Sequence, residues 1–208
     1  MDEYSILARL YDPLLHLVLN RIRKQVTNTV RYYQPSSIID ICCGTGKQLK
    51  HLKKCGFHNI TGVDLSKSML QQANKGNEKV PCDEQDATAM KFDDNSFDLG
   101  IISYALHEKP QQSAIDIINE AARVIQPNGH LIVVDYLFDK KVKPHLKASI
   151  QLVERIAGKD HYRHFKRYIH YGGMDQLLKN FNLQKEIKFH GGATSIRVYN
   201  MDQYGHYA

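Results

Sequence analysis

Ile38-Ile39-Asp40-Ile41-Cys42-Cys43-Gly44-Thr45-Gly46 is a β-branched apolar run ending in a Gly-x-Gly turn, and Leu49 and Leu52 follow it at helical spacing until Gly56. The parse is strand, loop, helix. Asn59 to Asp64 repeats the strand, and Ser66 stands as N-cap to a helix holding Met69, Leu70 and Ala73. A short strand is expected near Val80 to Glu84, at a sheet edge because of Pro81. Phe97 to Ser103 reads as a buried strand. Ala114, Ile117, Ile118, Ala121 and Ile125 then trace one helical stripe, ended by Pro127-Asn128-Gly129 before the apolar run Leu131 to Leu137. Near-continuous strands alternating with helices predict an α/β fold, a Rossmann-like doubly wound sheet covered on both faces.

After Pro144 the pattern changes to a basic, His- and Tyr-rich helical region, residues 145–169. A Gly172-Gly173 break and a helix through Leu177 and Leu178 follow. Two closing strands near 183–190 and 194–200, separated by Gly191-Gly192, read as an antiparallel hairpin. The whole is expected as one domain with a mostly parallel, seven-stranded sheet. Its parts are cap helices over 1–34, a cofactor-binding core over 36–138, lid helices over 145–180 and a closing hairpin over 182–201.

The 208 residues suit a single substantial core, and 42% hydrophobic with 24% charged residues argues against a disordered protein. No apolar stretch approaches the ~20 residues of a membrane helix. Met1-Asp2-Glu3-Tyr4 lacks a signal-peptide layout, so a cytoplasmic location is expected. Cys42, Cys43, Cys55 and Cys82 form no C-x-x-C pair, and reduced thiols fit that compartment. The net charge of +6 permits an anionic substrate, a nucleic acid or a membrane surface without selecting one.

A Gly-x-Gly turn lets a ligand approach the backbone, and Asp64, 20 residues after Gly44, can accept from both hydroxyls of a ribose. The third glycine of a dinucleotide fingerprint is replaced by Leu49, which favours an adenosine ligand without a pyrophosphate and disfavours NAD or FAD. Asp40, at the end of the first strand, either caps a turn or sits beside a cationic ligand. S-adenosylmethionine, with its ammonium and sulfonium, is such a ligand. Asp86, in Gln85-Asp86-Ala87, could accept from an adenine amino group while the next backbone N–H meets a ring nitrogen.

These residues resemble the class I S-adenosylmethionine-dependent methyltransferases. Asp40, Gly44 and Gly46 match that family's glycine-rich first motif, Asp64 its ribose-binding acid, Asp86-Ala87 its adenine-contacting motif and Ser103-Tyr104-Ala105-Leu106-His107 its fourth. Pro127-Asn128-Gly129 resembles the turn before the fifth strand. The closest likeness is to the ubiquinone/menaquinone-biosynthesis type of small-molecule methyltransferase, whose N-terminal helix Tyr4 to Leu15 resembles, placing Tyr11 near the methionine end. Leu106-His107-Glu108 stands where the quinone enzymes carry an arginine-asparagine element. The resemblance implies S-adenosylmethionine as cofactor and a binding set of Tyr11, Asp40, Cys42, Gly44, Gly46, Asp64, Leu65, Met69, Asp86, Ala87, Ser103 and Tyr104.

His107, just past the fourth strand, is the general-base candidate, because an imidazole near its ordinary pKa accepts a proton at neutral pH. Capping its own loop is the competing role. Tyr136 either lines the acceptor pocket or packs. In the segment Asp160 to Tyr171, His161 and His164 stand at i, i+3 without H-E-x-x-H or comparable carboxylate spacing, so no metal is expected and a lid helix is. The Asp/Asn-Pro-Pro-aromatic element of base-amino methyltransferases is absent at Ser103-Tyr104-Ala105-Leu106, which disfavours a nucleic-acid substrate. A small-molecule acceptor is expected. An RNA methyltransferase, a non-catalytic S-adenosylmethionine-binding protein and a nicotinamide oxidoreductase are the alternatives.

Overall fold

The computed structural model of the protein describes residues 19–75 and 78–202. It opens with helix α1 over residues 19–33 and continues β1 (Ile38–Ile41), α2 (Lys47–Lys54), β2 (Ile60–Asp64), α3 (Lys67–Ala73), β3 (Cys82–Glu84), β4 (Phe97–Ser103), α4 (Gln111–Val124), β5 (Ile125–Tyr136), α5 (Pro144–Ile156), α6 (Lys159–His170), α7 (Gly173–Leu177), β6 (Asn182–Phe189) and β7 (Thr194–Asn200). One seven-stranded sheet results, in the order β3-β2-β1-β4-β5-β7-β6. The first five strands are parallel, and β7 inserts antiparallel between β5 and β6. The third strand, which begins just after Pro81, is an edge, as the sequence predicts. Among the described residues no helix is long and apolar enough to cross a membrane.

The continuous strands follow from burial on both faces. Ile39 and Ile41 of β1 enter one apolar cluster with Ile117, Ile118 and Ala121 of α4, while Ile38 enters the opposite one with Ile22, Val26 and Val30 of α1 and Leu49 and Leu52 of α2. Each such side chain, fully buried, contributes roughly 1.5–3 kcal/mol. Thr27 of α1 joins α2 through His51 Nδ1 at 2.9 Å and Gln48 Nε2 at 3.1 Å, which fixes α1 beside the glycine loop and sets Arg23 at the cleft.

Two boundaries differ from expectation. Ile125, placed by periodicity on the α4 stripe, is the first residue of β5. Its side chain fills the space above two glycines: a Cβ at Gly100 would lie 2.5 Å from Ile125 Cδ1, and one at Gly129 would lie 2.6 Å from Ile125 Cγ2 and 2.7 Å from the Asp98 carbonyl oxygen. Packing onto the neighbouring strand thus outweighs helical period. The helical region 145–169 is two helices, α5 and α6, with the chain turning at Gly158. α6 buries Phe165 and Tyr168 and exposes Arg163, Lys166 and Arg167.

Candidate active site

The parallel strands deliver their C-terminal ends to one cleft of about 1330 Å³. Beyond β1 the backbone takes positive φ at Cys42 (59°), Gly44 (54°) and Gly46 (64°), coiling the loop back on itself. The Gly44 N–H donates to Asp64 Oδ2 at 2.8 Å, and Asp64 Oδ1 accepts from the Ser66 N–H at 2.8 Å. Asp64 therefore ties the loop to the start of α3, and each oxygen keeps a further lone pair for a ligand hydroxyl. A Cβ at Gly44 would meet nothing within 4 Å, so that residue leaves an open approach to the backbone. At Gly46 a Cβ would sit 3.0 Å from Val80 and 3.1 Å from Ala73, so this glycine serves packing behind the cleft.

Asp40 lies inside the sheet, in register with Gly62 on β2 and Ile101 on β4, and is 2% exposed. Burial, then the Cys82 and Asp64 charges, push its carboxyl up to about 8, and the Arg23 guanidinium opposes them. Asp86 is exposed and accepts from the Thr88 N–H (2.9 Å) and hydroxyl (2.8 Å), bonds that hold its carboxyl below the usual range. Leu65, 67% exposed, and Met69 present apolar surface between these acids. Burial pushes the Cys42 thiol up to about 12, so it lines the loop as a neutral group. Ser103 Oγ is buried with no hydrogen-bond partner among the described residues. An orphaned hydroxyl, an open glycine face and a buried carboxyl whose charged form a nearby cation would favour fit a polar, cationic adenosine ligand.

Of the sequence-predicted residues, Asp40, Cys42, Gly44, Asp64, Leu65, Met69, Asp86, Ala87, Ser103, Tyr104, His107 and Tyr136 all border this cleft. Gly46 stands just behind it, and Tyr11 lies outside the described residues.

The cleft's other wall is a buried polar network. His107, on the 3₁₀ turn Leu106–Glu108 after β4, donates from Nδ1 to Asp135 Oδ1 at 2.7 Å, and its backbone N–H faces Asp135 Oδ2 at 3.3 Å. Its Nε2 lies 3.5 Å from Glu154 Oε2. Glu154 also accepts from the Tyr136 hydroxyl at 2.8 Å and from His161 Nε2 at 2.5 Å, and His161 Nδ1 is 3.5 Å from Glu108. Burial alone would push the His107 ring down. Asp135 and Glu154 outweigh it and hold the ring well above its ordinary pKa. Burial likewise works against a charged Glu154, but hydrogen bonds from His107, His161 and Tyr136 hold it below the carboxylate range. Burial and the Glu154 charge keep the Tyr136 phenol neutral.

Asp135, Glu154 and His161 were not singled out by sequence as site residues. The signals were present: Asp135 interrupts the apolar run Ile132-Val133-Val134, and Glu154 shares a helical face with Leu146, Ile150 and Val153. His161 turns inward to Glu154 and His107 rather than pairing with His164.

Comparison with known proteins bears on the fold and on residues 38–129. Residues 38–129 match the family described as Methyltransferase domain. The ubiquinone/menaquinone biosynthesis C-methyltransferase UbiE of Roseobacter denitrificans is 34% identical over 108 residues, covering 48% of this chain and 42% of that protein. The chain spans about half the length of the curated relatives it matches. The PH0226 protein of Pyrococcus horikoshii OT3 superposes with a TM-score of 0.70 at 20% identity, covering 96% of this chain and 99% of that one. The plantazolicin methyltransferase BpumL, solved in complex with SAH, gives 0.63 at 16% identity, covering 95% and 88%. The fold is that of the class I S-adenosylmethionine-dependent methyltransferases, and residues 38–129 carry the match to a methyltransferase domain. Its likeness in sequence is to the ubiquinone/menaquinone-biosynthesis type.

Proposed function

We propose that the protein transfers a methyl group from S-adenosylmethionine to a small-molecule acceptor held in the same cleft. The observation that carries this reading is the shared cavity: the Gly44 loop, Asp40, Asp64 and Asp86 form one wall, and His107, Tyr136 and Glu154 form the facing one. At about 1330 Å³ the cleft exceeds the ~300–1,000 Å³ of a single-ligand pocket, so it accommodates a cofactor and an acceptor together.

When bound, the cofactor supplies a methyl carbon activated for in-line displacement by its sulfonium. The protein's work is alignment and proton handling. Asp40 ionises against the ligand's positive charge. Asp64 accepts from ribose hydroxyls while holding the Gly44 N–H in place. Ser103 offers its unpartnered hydroxyl. On the acceptor side His107 does not act as an isolated base, because both ring nitrogens face carboxylates. The relatives' names make ring carbons of quinone precursors the first acceptors to try.

Calorimetric titration with S-adenosylmethionine, S-adenosylhomocysteine and NAD tests the cofactor. Both adenosyl ligands should bind and NAD should not, and Asp64→Ala should weaken the adenosyl ligands by at least ~10-fold, as loss of charged hydrogen bonds implies. NAD binding in their place overturns the reading. Transfer of labelled methyl to a component of a metabolite extract separates an enzyme from a binding protein.

A further inference from the structure

We propose that His107, His161 and Glu154 form a binding site for one divalent transition-metal ion at the edge of the cleft, with open coordination positions toward the acceptor. Donor atoms of His107, His161 and the Glu154 carboxylate, one from each, lie within 4.8 Å of one another, although they come from three separate elements, the turn after β4, α6 and α5. Two imidazoles and one carboxylate are the donor set of open, catalytic zinc sites and of two-histidine-one-carboxylate sites.

The surroundings of the triad match a metal site more closely than an ordinary buried ion pair. A ligating histidine characteristically gives its other ring N–H to a carboxylate, which fixes the ring and raises its basicity. His107 has that partner, Asp135 accepting from its Nδ1 at 2.7 Å, and the Glu108 carboxylate stands at ion-pair distance, 3.5 Å, from His161 Nδ1. Glu154 is itself oriented by the Tyr136 hydroxyl on its second oxygen. The 3.5 Å between His107 Nε2 and Glu154 Oε2 is long for a hydrogen bond and close to the spacing of two ligands on one tetrahedral ion with ~2.1 Å bonds. The closer His161–Glu154 pair needs to open by about 1 Å to admit the ion.

Charge points the same way. Asp135, Glu154 and Glu108 surround the two rings. Three carboxylates around two imidazoles supply the negative charge that a divalent ion requires. His107, Glu108 and Glu154 also border the cleft, and the ion's remaining positions would take an oxygen or sulfur donor from the acceptor. This last assignment rests on the methyltransferase reading, whereas the site itself does not.

Full-length, chelator-stripped protein titrated with Co²⁺ should bind one equivalent, with the visible bands of a four- or five-coordinate nitrogen/oxygen site. Glu154→Gln and His161→Gln should each weaken binding by at least ~100-fold, beyond the 10–100-fold of a lost outer partner, and His164→Ala on the same helix should leave it unchanged. Stoichiometric binding that survives both Gln variants, or no binding at all, overturns the proposal. Should either variant unfold by circular dichroism, crystals of the wild-type protein soaked in Zn²⁺ decide. An anomalous peak ~2.0–2.2 Å from the three donors supports the site, and a peak elsewhere or none refutes it. Adenosyl-ligand titration of the same sample keeps the two readings apart: metal bound without cofactor binding sinks only methyl transfer, and cofactor bound without metal sinks only the site.

Discussion

Asp40 offers the sharpest test of the cofactor wall, because its carboxyl is pushed up to about 8 in the ligand-free protein. With that value only ~10% of molecules carry the charged form at pH 7 and ~0.3% at pH 5.5. A ligand whose ammonium pairs with the carboxylate selects the charged fraction, so its apparent Kd scales as the inverse of that fraction. Between pH 5.5 and 7.0 the ligand's ammonium stays largely protonated, and affinity should rise about 30-fold, close to tenfold per pH unit. The same coupling requires proton release: each molecule bound at pH 7 should expel ~0.9 proton. Isothermal titration of S-adenosylhomocysteine in buffers of low and high ionisation enthalpy measures both quantities. Asp40→Asn keeps the shape, removes the titrating group, and should abolish the proton release and flatten the pH dependence while weakening binding at pH 8. The sign for stability is opposite. A carboxyl raised above its unfolded value of about 3.9 binds its proton more tightly when folded, so the empty protein loses stability as pH climbs from ~4 to ~8, and Asp40→Asn should unfold later than wild type at pH 7.5. A wild-type affinity independent of pH, or proton release that persists in Asp40→Asn, would refute the reasoning.

Three further outcomes are expected. Tyr136→Phe leaves Glu154 without one of its donors in a buried site and should cost roughly 1–2 kcal/mol in urea denaturation with the fold intact by circular dichroism. Gly129→Ala drives a methyl to within 2.7 Å of the Asp98 carbonyl oxygen, which belongs to backbone and cannot swing away, so a loss of about 1–3 kcal/mol and a Tm lower by ~3–10 °C are predicted in calorimetry. Arg123 clamps α4 to the 90–94 loop through Glu120, Asp94 and the Met90 and Phe92 carbonyls. Arg123→Lys cannot reproduce that fork and should cost roughly 1–3 kcal/mol, whereas an equal midpoint in urea would show the clamp to be idle.

The cofactor wall was legible because its signals are local. Asp40, Gly44 and Gly46 sit within seven residues, Asp64 and Asp86 end or follow successive strands, and the central strands β1 and β4 are dominated by apolar residues because both sheet faces are covered there. The facing wall is not local. His107, Asp135, Glu154 and His161 belong to four elements, and His107 meets Asp135 across 28 positions. No spacing rule on one helix finds a triad assembled by packing α5 and α6 over the end of β4, and the i, i+3 pair that periodicity offered, His161 with His164, is not the one that forms.

The net charge misleads for the same reason. Against a chain of +6, the described residues bordering the cleft include seven carboxylates, Asp40, Asp64, Glu84, Asp86, Glu108, Asp116 and Glu154, and four basic side chains, Arg23, Lys47, Lys67 and Lys109. Asp135 adds another buried acid behind His107. The excess of positive charge is elsewhere, on exposed faces such as Arg163, Lys166 and Arg167 of α6, where water and salt screen it. Charge buried in a low-dielectric cleft acts far more strongly on a ligand than charge on a solvated helix face. These carboxylates favour positive groups, which suits both the cofactor proposed to lie beside Asp40 and the divalent ion proposed beside Glu154.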